Sequence, residues 1–479
     1  MNRAPDRPWE PERTRPVLEG RVVVRLAPGT PTDHLPTARA VSRRERSSAI
    51  RVDGGGAIDQ VLARFSPAFR ARLVHEAESS RDGGRRRWTE LEHETGVARV
   101  LTVDVDPGAS LPSLVDALAD LAQVETASPV YLTVTPFSAA APPVVDPWWA
   151  HRMIGAAEAL RAEPGDRALV VGVVDSGVAA DHPELAGRVR PGIDTVDLPA
   201  GQLSRGYVLT GDHAARDRDP SDEMGHGTGC AGILGANGLR LPKGLVGAAS
   251  LLPARVLAAA RGVHGAAVTA IGSGPDIDAG LKHAIDLGAK VLNLSFGTPA
   301  SSLRPTDPPP HAEIVAYARR RGCVLVAASG NSGGRERYYP SCLDGVIAVG
   351  SVGPTGHPSR FTTRGDHVDL CAPGERIPTS GLRGYHLQSG TSFAAPFVTG
   401  AAALMCAVFA RHATPVDPGL VRDLLMQSAR RFPPTADATG CGAGILDVPR
   451  ALEVLRAELE RRFTASRPPA GSPGGGHVP

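Results

Sequence analysis

The sequence predicts an α/β fold: a doubly wound, mostly parallel sheet with helices on both faces, preceded by a small α+β domain. Three observations carry that prediction. Uninterrupted apolar runs such as residues 168–174 have the composition of strands buried on both faces. From there on, strand-like runs alternate with segments of helical period, 277–287 before 291–296 and 312–320 before 324–328. Between these and the first part of the chain, residues 136–146, rich in proline and alanine, have the composition of a linker.

The chain has 479 residues, enough for two or three domains and a large core. Its hydrophobic content of 42% and charged content of 21% are those of a globular protein. A net charge of +2 argues against nucleic acid as partner. Lysine stands only at positions 243, 282 and 290, so the positive charge is almost all arginine. No apolar run of membrane-spanning length is read, and no membrane partner is expected. Residues 1–20 are polar and proline-rich, without the apolar centre of a signal peptide, and read as a disordered tail. The six cysteines are scattered without a CxxC pair. Free thiols and a cytoplasmic location follow as the expectation.

Taken in order, residues 21–135 form the first domain. Residues 21–26 are a β-branched strand closed by Pro28-Gly29. Residues 57–74 have apolar positions at threes and fours, with Pro67 kinking or dividing the helix. Residues 79–87, containing Arg85-Arg86-Arg87, read as a solvated loop rather than a processing site. A strand at 98–105, a helix at 111–121 and a strand at 124–134 complete the domain. The main domain runs over 147–463, and 464–479 read as a second disordered tail.

Four residues of the main domain stand where chemistry is expected. Asp175 ends the strand 168–174, at the rim where open α/β sheets build their sites, although strand-end aspartates also start turns. His226, framed by glycines, is the side chain best suited to proton transfer near neutral pH. Ahead of it lies an acidic loop with Asp217, Asp219, Asp222 and Glu223, read as a solvated surface with a structural calcium site as the alternative. Asn331 leaves a strand between small residues, as a turn asparagine or with its amide free to donate. Ser392, in Gly390-Thr391-Ser392-Phe393-Ala394-Ala395-Pro396, sits at a helix start, where the dipole favours developing negative charge. An ordinary helix cap is the plainer reading of that serine.

Together these stretches resemble the subtilisin-like serine peptidases over about two thirds of the chain. The family's Asp motif is matched at Val174-Asp175-Ser176-Gly177 and its His motif at His226-Gly227-Thr228. Its oxyanion motif is matched from Ala327 to Gly333 and its nucleophile motif from Gly390 to Pro396, all in the family's order. The resemblance implies a serine endopeptidase in which Ser392 attacks a peptide carbonyl, His226 moves the proton and Asp175 holds the imidazole. Asn331 and the Ser392 N–H would bind the oxyanion. Gly272-Ser273-Gly274 and Ser295-Phe296-Gly297 would pair with an extended peptide or protein substrate. Tyr338 would lie near the base of the primary pocket and favour small or medium side chains. No metal or other cofactor is required for this chemistry.

The departures are Gly229, where many members carry a second histidine, and Phe393, where methionine is frequent. Cys230 lies one helical turn after His226 and reads as a small buried residue; some members with cysteine here are thiol-sensitive. Residues 124–131 resemble the end of the family's propeptide, which implies a cis-inhibitory first domain whose tail, 135–141, occupies the groove. Self-cleavage would then fall between Ser138 and Ala141. The expected role is selective processing inside the cell. A non-catalytic peptide-binding scaffold and a peptide transacylase are the alternatives.

Overall fold

The computed structural model describes residues 17–37, 51–80, 87–136, 146–199, 201, 203, 207–214, 216–262 and 268–465. The described residues open with β1 (Val17–Leu26), which begins ahead of residue 21, so the last residues of the expected tail belong to the sheet. A helix follows over Ala57–Phe65 with Ile58, Val61 and Leu62 inward. The helix expected over 57–74 stops there. Past Pro67, residues alternate between half-buried Arg70 and Arg72 and buried Ala71 and Leu73, and this two-residue period makes β2 (Arg70–Leu73) instead. After β3 (Val100–Asp104) comes a helix, Leu111–Ala119, and then β4 (Val124–Pro136). These strands pair in the antiparallel order β2-β3-β1-β4, over a core that includes Leu101, Val103, Leu114 and Leu118.

The second part of the chain contributes β5 (Val170–Asp175), β6 (Ile193–Asp194), β7 (Tyr207–Thr210), β8 (Ser250–Arg255), β9 (Ala258–Gly262) and β10 (Val268–Ser273). It continues with β11 (Ala289–Leu294), β12 (Thr298–Pro299), β13 (Val324–Ala328), β14 (Tyr338–Tyr339), β15 (Val346–Val352) and β16 (Leu370–Pro373). Seven of these form a wholly parallel sheet in the order β16-β15-β13-β11-β5-β8-β6. Helices cover both faces, as the apolar strands require. On one face lie the helices His226–Gly235 and Thr391–Arg411, with Val173, Val326, Phe397 and Leu404 in their core; the other face packs against Gly274–Asp286 and Ala312–Arg320 through Leu292, Leu281 and Ile314.

One expectation is corrected here. The helix Thr391–Arg411 is long and apolar enough to cross a membrane by length and composition, although no such stretch was expected. Residues Thr391 to Phe409 are all buried inside the protein, so its apolar surface is spent on the core.

The two parts of the chain are joined by a continuous sheet. The end of β4 pairs antiparallel with β10, from Ser273 opposite Leu132 to Thr269 opposite Pro136. The antiparallel sheet therefore runs β2-β3-β1-β4-β10-β9-β7. Charged pairs reinforce the junction. Arg72 meets Asp197 at 2.6 Å and Arg321 meets Glu78 at 2.7 Å. Lys282, buried, reaches Glu92 at 2.6 Å and Asp286 at 2.7 Å. Tyr131 Oη donates to Asp307.

Candidate active site

Asp175 is the last residue of β5 and is fully buried. The apolar strand delivers it to the edge of the sheet, where Ser176 N–H donates to its Oδ1 at 2.7 Å. His226 opens its own helix because Gly225 adopts φ +98°, a left-handed conformation that a side chain would strain. That entry brings His226 Nδ1 to 2.7 Å from Asp175 Oδ1. Burial opposes the imidazolium, but the charge and hydrogen bond of Asp175, with Asp222 behind it, outweigh that cost and hold the His226 pKa above its ordinary value.

Asp222 explains why the two residues meet. It is half-buried and accepts from Ser176 Oγ, from the backbone N–H of Met224, Gly225 and Thr228, and from Thr228 Oγ1. Ser176 Oγ in turn accepts from Gly227 N–H at 3.0 Å. One carboxylate thereby ties the residue after Asp175 to the first turn of the His226 helix. The sequence marked Asp222 only as one acid among several. Its neighbours are also engaged: Glu223 faces Arg255 and the Asp212 N–H, Asp219 accepts from Ser221, and Asp217 accepts from the Asp219 N–H. Among the described residues, the His, Cys and carboxylate atoms near enough to share a metal ion are those of Asp175, His226 and Cys230, with Asp175 and His226 already bonded to each other.

Ser392 is the second residue of Thr391–Arg411, where the first backbone N–H groups of a helix have no partner within it. Its carbonyl accepts from Cys230 Sγ at 3.4 Å and from Ser295 Oγ at 2.7 Å, which fastens the serine to the His226 helix on one side and to the end of β11 on the other. Its own Oγ donates to the Ser295 carbonyl at 3.1 Å, along the rim where a substrate strand would run. Catalytic hydrogen bonds of a substrate-free site commonly tighten only on binding. Asn331 Oδ1 accepts from Thr391 N–H at 2.9 Å and from Thr391 Oγ1 at 3.0 Å, leaving the amide nitrogen as the donor end. That nitrogen lies 3.5 Å from where a Cβ on Gly390 would be, beside the serine.

The two departures noted in the sequence turn out to be one. A Cβ on Gly229 would stand 3.1 Å from Phe393 Cε1, and the Phe393 ring lies 5.3 Å from the His226 ring. The space left by a missing side chain at 229 is filled by the larger one at 393, which backs the imidazole. Cys230 is buried beside them, and burial pushes its pKa well up, so the thiol stays protonated.

The subtilase family profile, Peptidase_S8, matches residues 166–444. The chain belongs to this family. Thermitase of Thermoactinomyces vulgaris is 34% identical over 272 residues, covering 54% of this chain and 84% of thermitase. The major intracellular serine protease of Bacillus subtilis is 34% identical over 244 residues, 49% of this chain and 67% of that protease. Among solved structures, the prenylagaramide maturation protease PagA is similar at 26% identity and a TM-score of 0.51, over 63% of this chain and 98% of that one. As a subtilase, the chain is a serine endopeptidase.

Of the remaining predicted residues, Ser295 is the one bonded to Ser392. Ser295, Phe296 and Gly297 follow β11, and Gly272 and Ser273 end β10, with Gly274 opening the next helix. The Ser273 side chain also caps that helix by accepting from Asp276 N–H. The outer edge of β10 is taken by β4, from the amino-terminal part of the chain, and Thr133 Oγ1 meets Thr298 Oγ1 at 2.7 Å across the way. Tyr338 lies between two bare glycines: a Cβ on Gly330 would be 2.5 Å from its ring and one on Gly297 3.2 Å from its Cβ. Burial and Glu336 push its pKa up to about 12, so the phenol is neutral at ordinary pH. Of the tail 135–141 expected to occupy the groove, Thr135 and Pro136 end β4 and pair with Ala270 and Thr269, and 137–141 lie outside the described residues.

Proposed function

We propose that this subtilase cleaves peptide or protein substrates at a few selected sites, with Ser392 as nucleophile, His226 as general base and then acid, and Asp175 as the group that fixes the imidazole. The observation that carries this reading is the buried 2.7 Å bond from His226 Nδ1 to Asp175, which leaves Nε2 for the serine proton. Ser392 Oγ then bonds to the substrate carbonyl carbon, and the oxyanion forms against the Asn331 amide and the Ser392 N–H. His226 passes the proton to the leaving amine, and water attacks the acyl-enzyme by the same route. In this reading the chemistry uses the chain's own groups and water, and a calcium ion at the acidic loop would serve only the fold. Chelation is therefore expected to spare the acylation rate.

Residues 147–463 form the catalytic domain in this proposal, and 21–135 form a domain that restrains it. The support is the pairing of β4 along β10, which takes the edge a substrate strand would use. A short connection keeps that strand at an effective concentration of roughly millimolar, enough to suppress activity even with weak intrinsic affinity. Selectivity is supported by the Tyr338 ring, set between Gly297 and Gly330 where the resemblance puts the base of the primary pocket, and a reducing compartment by six cysteines held as free thiols. Freshly purified protein should show little peptidase activity, and a new amino terminus at residues 139–141 should appear as activity rises. Full activity from an uncut chain would overturn the restraint. Added amine separates hydrolysis from acyl transfer: free acids are expected as the main product, and predominance of the amide would favour a transacylase.

A further inference from the structure

Beside the expected groove lies a cavity of about 80 Å³, bounded on one side by the first domain and on the other by the catalytic domain. Gly274, expected to line that groove, and Thr298, next to Gly297, belong to its wall, and so does Tyr131, two residues before the Thr133 that pairs with Gly272. The catalytic domain adds Asp278, His311 and Glu313 to the lining and, among the described residues, no lysine or arginine.

His311 is the informative member. It is 2% exposed, and its Nδ1 lies 2.5 Å from Asp278 Oδ1. A carboxylate there only accepts, so in the neutral imidazole the proton sits on Nδ1 and Nε2 keeps its lone pair. Nε2 is buried without a hydrogen-bond partner, a state that costs stability unless something supplies a donor. The residue is held with φ +68°, an uncommon conformation for a side-chain-bearing residue. Glu313 does have a partner, but that partner is Arg25, which β1 of the first domain sends across the junction. When the domain leaves, Glu313 loses its cation while Asp278 and the acceptor on His311 remain.

We propose that Asp278, His311 and Glu313 form a substrate subsite that selects an arginine or lysine side chain on the amino-terminal side of the scissile bond, with Arg25 as its occupant while the first domain is docked. A substrate strand that replaces residues 131–136, pairing along β10 from Ser273 to Thr269 and reaching one residue beyond, sets a side chain over this cavity from the position of Tyr131. Guanidinium and ammonium groups are pure donors, matching two carboxylates and one nitrogen acceptor. The subsite rests on the peptidase reading above and extends it to a substrate class.

The test uses full-length protein, incubated until its activity is constant, on a peptide library randomised ahead of the cleaved bond. Products enriched in arginine or lysine at one fixed position, other than the residue next to the bond, are expected. With a matched pair of peptides carrying Arg or Ala there, Glu313→Gln should lower the Arg-to-Ala ratio of kcat/KM by roughly tenfold or more, and Glu313→Asp should retain most of it. The ratio is read because releasing Arg25 could raise both rates together. Cleavage with no basic preference, or a preference that Glu313→Gln leaves untouched, would overturn the subsite alone. A chain that cleaves no peptide at all would overturn the peptidase reading and the subsite with it.

Discussion

Replacing Asp175 by asparagine probes the site at its most constrained point. The carboxylate is fully buried, accepts from His226 Nδ1 at 2.7 Å and from Ser176 N–H at 2.7 Å through the same oxygen. Asparagine has nearly the same shape, so the fold should survive. An amide that turns its NH2 toward Nδ1 forces the proton onto Nε2, where it blocks the serine. Loss of that tautomer costs about 10⁴-fold in kcat in Ser-His-Asp triads generally, and the same order is expected here. The pH profile supplies a second readout. Asp175 holds the His226 pKa above the ordinary imidazole value, so the acidic limb of wild-type kcat/KM should lie above about 6.5. In Asp175→Asn that limb should move down. The sign for stability runs the same way: a raised pKa in the fold stabilises the protein below the unfolded value, and that contribution is lost as pH rises through the folded value. The assay is the rate on one peptide across pH for both proteins. A loss of less than about tenfold with an unmoved limb would refute the reasoning.

Three further outcomes are expected. Asn331→Ala should reduce kcat by roughly 10²–10³-fold with little change in KM, because the amide acts on the oxyanion; a change confined to KM would count against that role. Tyr338→Ala should move the preferred residue before the scissile bond toward large apolar side chains, by about tenfold in relative kcat/KM, as read from a peptide library; an unchanged profile would take Tyr338 out of the pocket. Lys282→Met leaves Glu92 and Asp286 buried without their shared cation, and should cost about 3–5 kcal/mol in denaturant unfolding of a Ser392→Ala background. A cost under about 1 kcal/mol would show that the hydrogen bonds from Thr89 and Tyr317 suffice for these acids.

The parallel sheet was legible because its strands are buried on both faces and read as apolar runs, as at Val170–Asp175 and Val324–Ala328. Of the candidate site, the bonded pair Asp175 and His226 was legible through two of the four motifs that resemble the family's, in surroundings small enough to allow close approach. Three things were not legible. β2 lay under a helical pattern that holds only as far as Pro67, and the alternation of Arg70 to Leu73 is too short to outweigh it without its neighbour β3. The hairpin of β9 and β10, and its pairing with β4, depend on contacts between residues far apart in the chain. The roles of Asp222 and His311 depend on which groups face them, and a sequence carries no sign of that.

The most direct measurement is covalent labelling of the activated protein by a serine-directed phosphonate, with the adduct located by mass spectrometry and compared with Ser392→Ala. The account expects one adduct, on Ser392, with labelling and peptide hydrolysis both lost in the folded variant. Labelling on another residue, or hydrolysis that persists in Ser392→Ala, would contradict it.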